Sequence, residues 1–165
     1  MPDRGAIHLG PEGRTPGWLA EAVEAGGGRL VGPEDADGVV WASPRHPEAL
    51  HELLQQHPQV RWVQLPFAGI ETYVEILDHD RRWTCGKGVY ATPVAEMALT
   101  LLLGGLRHVG AYAQASSWSR PAGRNLVGAR VTILGGGGIT ESLVRLLQPW
   151  DCHITVVRRT ANHLD

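Results

Sequence analysis

The sequence is short of the features that mark several large classes of protein. It holds two cysteines, Cys85 and Cys152, in 165 residues. That excludes a disulfide framework, and a reducing compartment is the simplest reading. No histidine pair has zinc-site spacing with a cysteine partner. The net charge is only −2 at pH 7, which gives nucleic acid and anionic membranes no electrostatic handle. The first residues, MPDRGAIHLG, lack a basic segment followed by an apolar one, so no secretory signal is read. The longest apolar run, MALTLLLGGL, is too short to span a bilayer. No internal repeat is visible. Phenylalanine occurs once against six tryptophans, a bias to which no function attaches. With 43% hydrophobic and 19% charged residues, the expectation is a globular, cytoplasmic protein with a real core.

The chain is rich in short apolar runs alternating with helical patterns. AIHLG, RLVG, GVVWA, VRWVQLP and WTCGK read as strands. PGWLAEAVEAGGG reads as a helix, with Thr15 as N-cap and Pro16 in first position. HPEALHELLQQHP is amphipathic, with Leu50, Leu53 and Leu54 on one face. PEDAD reads as a loop and IETYVEILDHD as a short helix. Strands alternating with helices imply a parallel sheet covered on both faces. One long helix is predicted from Thr92 to Trp118, with Pro93 in its first turn. Gly104 and Gly105 either weaken its middle or allow close packing there. Strand ARVTIL, helix ITESLVRLLQPW and strand HITVV then make one βαβ unit. The domain boundary is placed near the start of the long helix, giving residues 1–91 and 92–165.

The glycines of RVTILGGGGIT stand between a strand and a helix, where a dinucleotide turn belongs. In the G-x-G-x-x-G fingerprint the first glycine makes the tight turn and the second admits the pyrophosphate. The third lets the helix pack on the strand. Gly135 and Gly137 fill the first two places and Thr140 the third. Thr140 either pushes the helix off the sheet or donates its hydroxyl to phosphate. The bland alternative is a glycine-rich structural turn. An acid at the end of the second strand would accept hydrogen bonds from the ribose of NAD. Here Arg158 and Arg159 stand in that place, and guanidinium pairs with phosphate. The expected cofactor is therefore NADP rather than NAD, the alternative being two solvated arginines.

Three stretches resemble the D-isomer-specific 2-hydroxyacid dehydrogenases: VQLPFAGIETY, YATPVAEMALTLLLGGLR and LVGARVTILGGGGIT. A fourth, VVWASP, is similar to the glyoxylate and hydroxypyruvate reductase branch. The resemblance covers essentially the whole chain. It implies a flavodoxin-like α/β substrate domain with a parallel sheet, followed by the first βαβ unit of a Rossmann NAD(P)-binding domain. It implies hydride transfer between a nicotinamide cofactor and a small 2-oxo or 2-hydroxy acid. By position, the backbone amides of Ala68, Gly69 and Ile70 would hold the substrate carboxylate and Trp41 would wall the pocket. Gly135, Gly137, Gly138, Ile139 and Thr140 would hold the pyrophosphate, and Arg158 and Arg159 the 2′-phosphate. A homodimer through residues 92–118 is also implied.

Each of these residues has an ordinary reading as well. Trp41 on an apolar strand suits a core, and AGI suits a plain loop. Glu96 suits the helix dipole better than catalysis. His46, His51 and His57 read as solvated surface; His8, His79, His108, His153 and His163 show no clustering. The family's catalytic Arg, acid and His lie beyond the second strand of the cofactor domain, so no catalytic residue is expected in this chain. It reads as the N-terminal part of a dehydrogenase about twice as long, inactive alone. The rival reading is a non-catalytic flavodoxin-like module for interaction or dimerisation. A phosphoreceiver is set aside, because HLGPEG lacks the acidic pair after the first strand.

Overall fold

The computed structural model describes residues 5–160. It divides into two compact units, Met1–Lys87 and Gly88–Asp165. In the first, β1 (Ala6–Gly10), β2 (Arg29–Leu30), β3 (Gly38–Trp41), β4 (Trp62–Gln64) and β5 (Arg82–Thr84) form one sheet. All neighbours are parallel, in the order β2-β1-β3-β4-β5. That is the flavodoxin-like order. Parallel neighbours need crossovers. These carry α1 (Gly17–Ala25), α2 (Pro47–Gln56) and short 3-10 turns at Pro33–Asp35 and Glu71–Ile76.

The register sets the core. Gly10 lies opposite Trp41, and Val39 opposite Val63. Side chains alternate along a strand, so Val39, Trp41 and Val63 share one face. Leu50 and Leu54 of α2 and Tyr73 pack with them, joined by Ala36, Val60 and Leu65. Leu53 lies at the edge of this cluster. The leucine spacing of α2 thus does what its periodicity predicts. Each large side chain so buried contributes about 1.5–3 kcal/mol.

Two local expectations fail here. Thr15 does not cap α1: the capping position is Pro16, extended and without a side-chain bond. Thr15 is one residue too early for its hydroxyl to reach the first free amides. The acidic segment after β2 is a 3-10 turn rather than an open loop.

The second unit holds α3 (Ala91–Leu106), α4 (Val109–Gln114), β6 (Arg130–Leu134), α5 (Gly138–Leu147) and β7 (His153–Val157). β6 and β7 pair in parallel with Thr132 opposite Thr155, and α3 packs on α5. The single helix expected from Thr92 to Trp118 is two helices, separated where His108 turns left-handed at φ 53°. The cause is tertiary. The returning chain claims the end of α3, because the Arg124 amide donates to the Leu106 carbonyl at 2.8 Å. Gly104 and Gly105 add low helix propensity just before the break. Among the described residues no atom crowds either glycine, so none packs closely against them. Glu96 lies beyond the first turn of α3, which holds no acid; its expected dipole role lapses. Among the described residues, no helix is long and apolar enough to cross a membrane.

Candidate functional site

Two stretches carry the candidate chemistry, one in each unit. In the second unit, β6 runs into Gly135, whose φ of +103° strongly favours glycine. Its amide donates to the Val157 carbonyl at 2.8 Å, which ties the turn to the end of β7. α5 starts at Gly138, with Gly137 extended as its cap. The amides of Gly138, Ile139 and Thr140 are first-turn donors without intrahelical partners, at the positive end of the helix dipole.

Thr140 differs from the expectation that its hydroxyl serves a phosphate. It is 6% exposed, and its Oγ1 donates to the Gly135 carbonyl at 2.9 Å. The hydroxyl proton is thus engaged in closing the turn. A Cβ on Gly138 would meet the Ala91 Cβ at 3.7 Å, ordinary contact distance, so α3 lies close to α5 at Gly138. Among the described residues nothing lies within 4 Å of a Cβ placed on Gly137. A tight glycine turn, unpaired amides and open space above them fit a pyrophosphate.

Arg158 and Arg159 follow β7 directly. Arg158 is half-buried and Arg159 exposed. A Cβ on Gly136 would stand 2.9 Å from Arg158 Cδ and 3.1 Å from its Nε. The Arg158 stem thus rests on the glycine turn. Neither guanidinium is paired with a carboxylate among the described residues. Gly136 and Arg158 are 22 positions apart in sequence, and the strand–turn–helix–strand reading brings them near each other.

In the first unit, Ala68 and Gly69 are exposed past the end of β4. Ile70 packs against the core cluster and its carbonyl takes the Tyr73 amide at 2.8 Å. The amides of residues 68–70 donate to no acceptor among the described residues. They are open donors in one stretch, as an anion cradle requires. The Glu71 carboxylate folds back over Gly69, 2.8 Å from where a Cβ would stand, and adds a negative charge beside the cradle.

Trp41 does not join that stretch. It is 2% exposed and part of the core, its ring against Gly10. An indole is large enough to close the sheet face, and here it does so instead of walling an open pocket. Its Nε1 has no hydrogen-bond partner among the described residues. It still lies near enough to the Tyr73 hydroxyl to bias it. Burial raises the Tyr73 pKa, the Trp41 indole lowers it, and Glu48 raises it again, for a net rise. The Tyr73 hydroxyl itself donates to the Ser43 carbonyl.

The histidines hold one surprise. His46, left-handed at φ 68°, bridges Arg14 Nη1 at 2.9 Å and Glu48 Oε1 at 3.1 Å. It is exposed, as expected, but engaged. No local signal links Arg14 to a residue 32 positions away. His8 is buried, its Nδ1 3.4 Å from the Val31 carbonyl. His163 lies outside the described residues. Among the described residues, no three His, Cys, Asp or Glu side chains gather as a metal site. Cys85 and Cys152 are free and half-buried, and Cys152 Sγ donates to the Leu126 carbonyl at 3.3 Å.

No protein-family model matches the chain. A Corynebacterium melassecola protein, described as an uncharacterized protein in the proB 3′ region, is 30% identical over 156 residues, 87% of this chain and 49% of its own length. Among solved structures, a D-isomer-specific 2-hydroxyacid dehydrogenase from Aeromonas salmonicida aligns with a TM-score of 0.78. The match is at 16% identity and covers 98% of this chain and 56% of that one. A D-isomer-specific 2-hydroxyacid dehydrogenase from Xanthobacter autotrophicus, in complex with NADPH and MES, aligns with a TM-score of 0.77. Here identity is 18%, over 98% of this chain and 56% of that one. The chain thus has the α/β fold of the N-terminal part of these enzymes, a five-stranded parallel sheet and then a short parallel pair. It spans about half the length of the proteins it matches.

Proposed function

We propose that this chain is the substrate-holding and cofactor-entry portion of an NAD(P)-dependent oxidoreductase acting on a small 2-oxo or 2-hydroxy acid. On this reading residues 1–91 form the substrate domain and residues 92–165 begin the cofactor domain. The observation that carries the reading is the glycine turn between two parallel strands, with free helix amides and Arg158 lying on it. Gly135 shapes the turn. Gly137, Gly138, Ile139 and the Thr140 backbone face the pyrophosphate. Arg158 and Arg159 meet a 2′-phosphate, so NADP is favoured over NAD. A nicotinamide held there supplies hydride chemistry.

The amides of Ala68, Gly69 and Ile70 hold the substrate carboxylate, and Trp41 supports that strand end from the core rather than touching substrate. No residue of this chain is assigned an acid–base role; those groups belong to the remainder of the enzyme, in the reducing cytoplasm. A glyoxylate or hydroxypyruvate reductase is the branch favoured, on VVWASP alone.

An amide NMR titration of the chain tests this reading. NADPH should shift residues 137–140 and glyoxylate residues 68–70, without NADPH oxidation in the mixture. Shifts confined to other residues would sink it; turnover would overturn only the expectation that the chain is inactive alone.

One observation favours a second role for the same chain. Val94, Met97 and Leu101 of α3 are 41%, 57% and 67% exposed at spacings of one helical face. That face suits a second copy of the chain, giving a homodimer through residues 92–118. A chain that dimerises but takes no nucleotide would be an interaction module instead.

A further inference from the structure

The four consecutive glycines do not share one reason for being glycine. Gly135 is left-handed at φ +103°, which an L side chain resists. Gly137 borders open space where the pyrophosphate is proposed to lie. Gly138 would meet Ala91 only at ordinary contact distance. Gly136 stands apart. Its φ is not in the left-handed region, so its backbone does not require glycine. The nearest atoms to a Cβ there are all from one side chain: Arg158 Cδ at 2.9 Å, Nε at 3.1 Å and Cβ at 3.3 Å. Carbon atoms rest comfortably at about 3.5–4.0 Å. A side chain at 136 and this Arg158 conformer therefore exclude each other.

Resting on the reading that the turn takes a dinucleotide, we infer that Gly136 is a specificity-determining position. Its missing side chain seats the Arg158 stem on the turn and so makes Arg158, more than Arg159, the group that reads the 2′-phosphate. The stem has two fixed sides. The Arg158 backbone is held at the end of β7, where the Gly135 amide bonds the preceding carbonyl of Val157. The Gly136 backbone lies under Cδ and Nε. A guanidinium seated in this way has less freedom to lose when it pairs with phosphate. Arg159 is exposed and has no such seat. A methyl group at 136 would rotate the Arg158 stem off the turn and swing its guanidinium away, while the amides that face the pyrophosphate stay in place.

The test uses the whole chain and two ligands that differ only by the 2′-phosphate: adenosine 2′,5′-bisphosphate and adenosine 5′-monophosphate. Calorimetry on the unsubstituted chain should show the bisphosphate bound more tightly. Gly136→Ala should cut that preference by about tenfold, the scale of a charge-assisted hydrogen bond, with the monophosphate affinity held. Arg158→Ala should remove more of the preference than Arg159→Ala. Without ligand, the Arg158 Nε resonance should move in Gly136→Ala, a readout that a general loss of stability would not give. An unchanged preference in Gly136→Ala, or a greater loss in Arg159→Ala, overturns the inference and leaves the cofactor reading standing. Failure of the unsubstituted chain to bind either nucleotide overturns both.

Discussion

Asp78 and Arg81 show how much one side-chain pair can organise. Arg81 donates through Nε to the Val60 carbonyl at 3.2 Å and through Nη2 to the Leu54 carbonyl at 3.0 Å. Its Nη1 pairs with Asp78. One guanidinium thus ties the end of α2, the approach to β4 and the entry to β5. Burial pushes the Asp78 carboxyl up. The Arg81 side-chain and backbone hydrogen bonds, the Arg81 charge and the Trp83 indole outweigh that, and the carboxyl sits below its ordinary value. An acid depressed by folding adds stability above its unfolded pKa and loses it as pH falls through the folded one. Asp78→Asn should therefore be destabilised against the native chain near pH 7. The gap should close as pH falls below the usual aspartate range of about 4. Urea unfolding at both ends of that range checks it; a gap independent of pH would show that the charge is irrelevant.

Residue identities in the candidate site were legible only where local geometry fixes them. Gly135 and the first-turn amides of α5 follow from a strand, glycines and a helix in series. The fate of the Thr140 hydroxyl did not, because its acceptor is a carbonyl made available by the left-handed Gly135. Trp41 was ambiguous for a similar reason: apolar strand residues look alike until the register shows which face is covered.

At the level of elements, periodicity served well and boundaries less so. The alternation of β1, α1, β2, β3, α2, β4 and β5 was readable because each strand is a short apolar run between turn residues. The division of the long helix was not. Its cause is the Arg124 amide returning to the Leu106 carbonyl, and sequence periodicity around residue 107 carries no trace of it. α3 also bears the clearest interaction prediction. Leu101→Glu, or Met97→Glu, places a charge on the exposed apolar face and should shift the proposed dimer toward monomer. Sedimentation at several concentrations would show this. Unchanged association would move the dimer contact off α3.

For the molecule as a whole, fold class was the most legible property. A parallel α/β sheet and a later β6–α5–β7 unit follow from the order of apolar runs, whereas the 2-1-3-4-5 strand order depends on pairings that the runs do not encode. Similarity at 16–18% identity to dehydrogenase structures extends to fold, while the proposed chemistry rests on the glycine turn and the open amides. The paired strands β6 and β7 leave Leu134 81% and Val157 50% exposed. Apolar side chains this open on a two-stranded sheet mark a surface that further structure would cover.

On the proposed function the turn at residues 135–140, with Arg158 beside it, holds a dinucleotide that carries a 2′-phosphate. Calorimetric titration of the chain with NADPH and, separately, NADH tests it most directly. Saturable one-to-one binding, tighter for NADPH by about tenfold, is the predicted result. No binding of either, or NADH bound as tightly as NADPH, would contradict it.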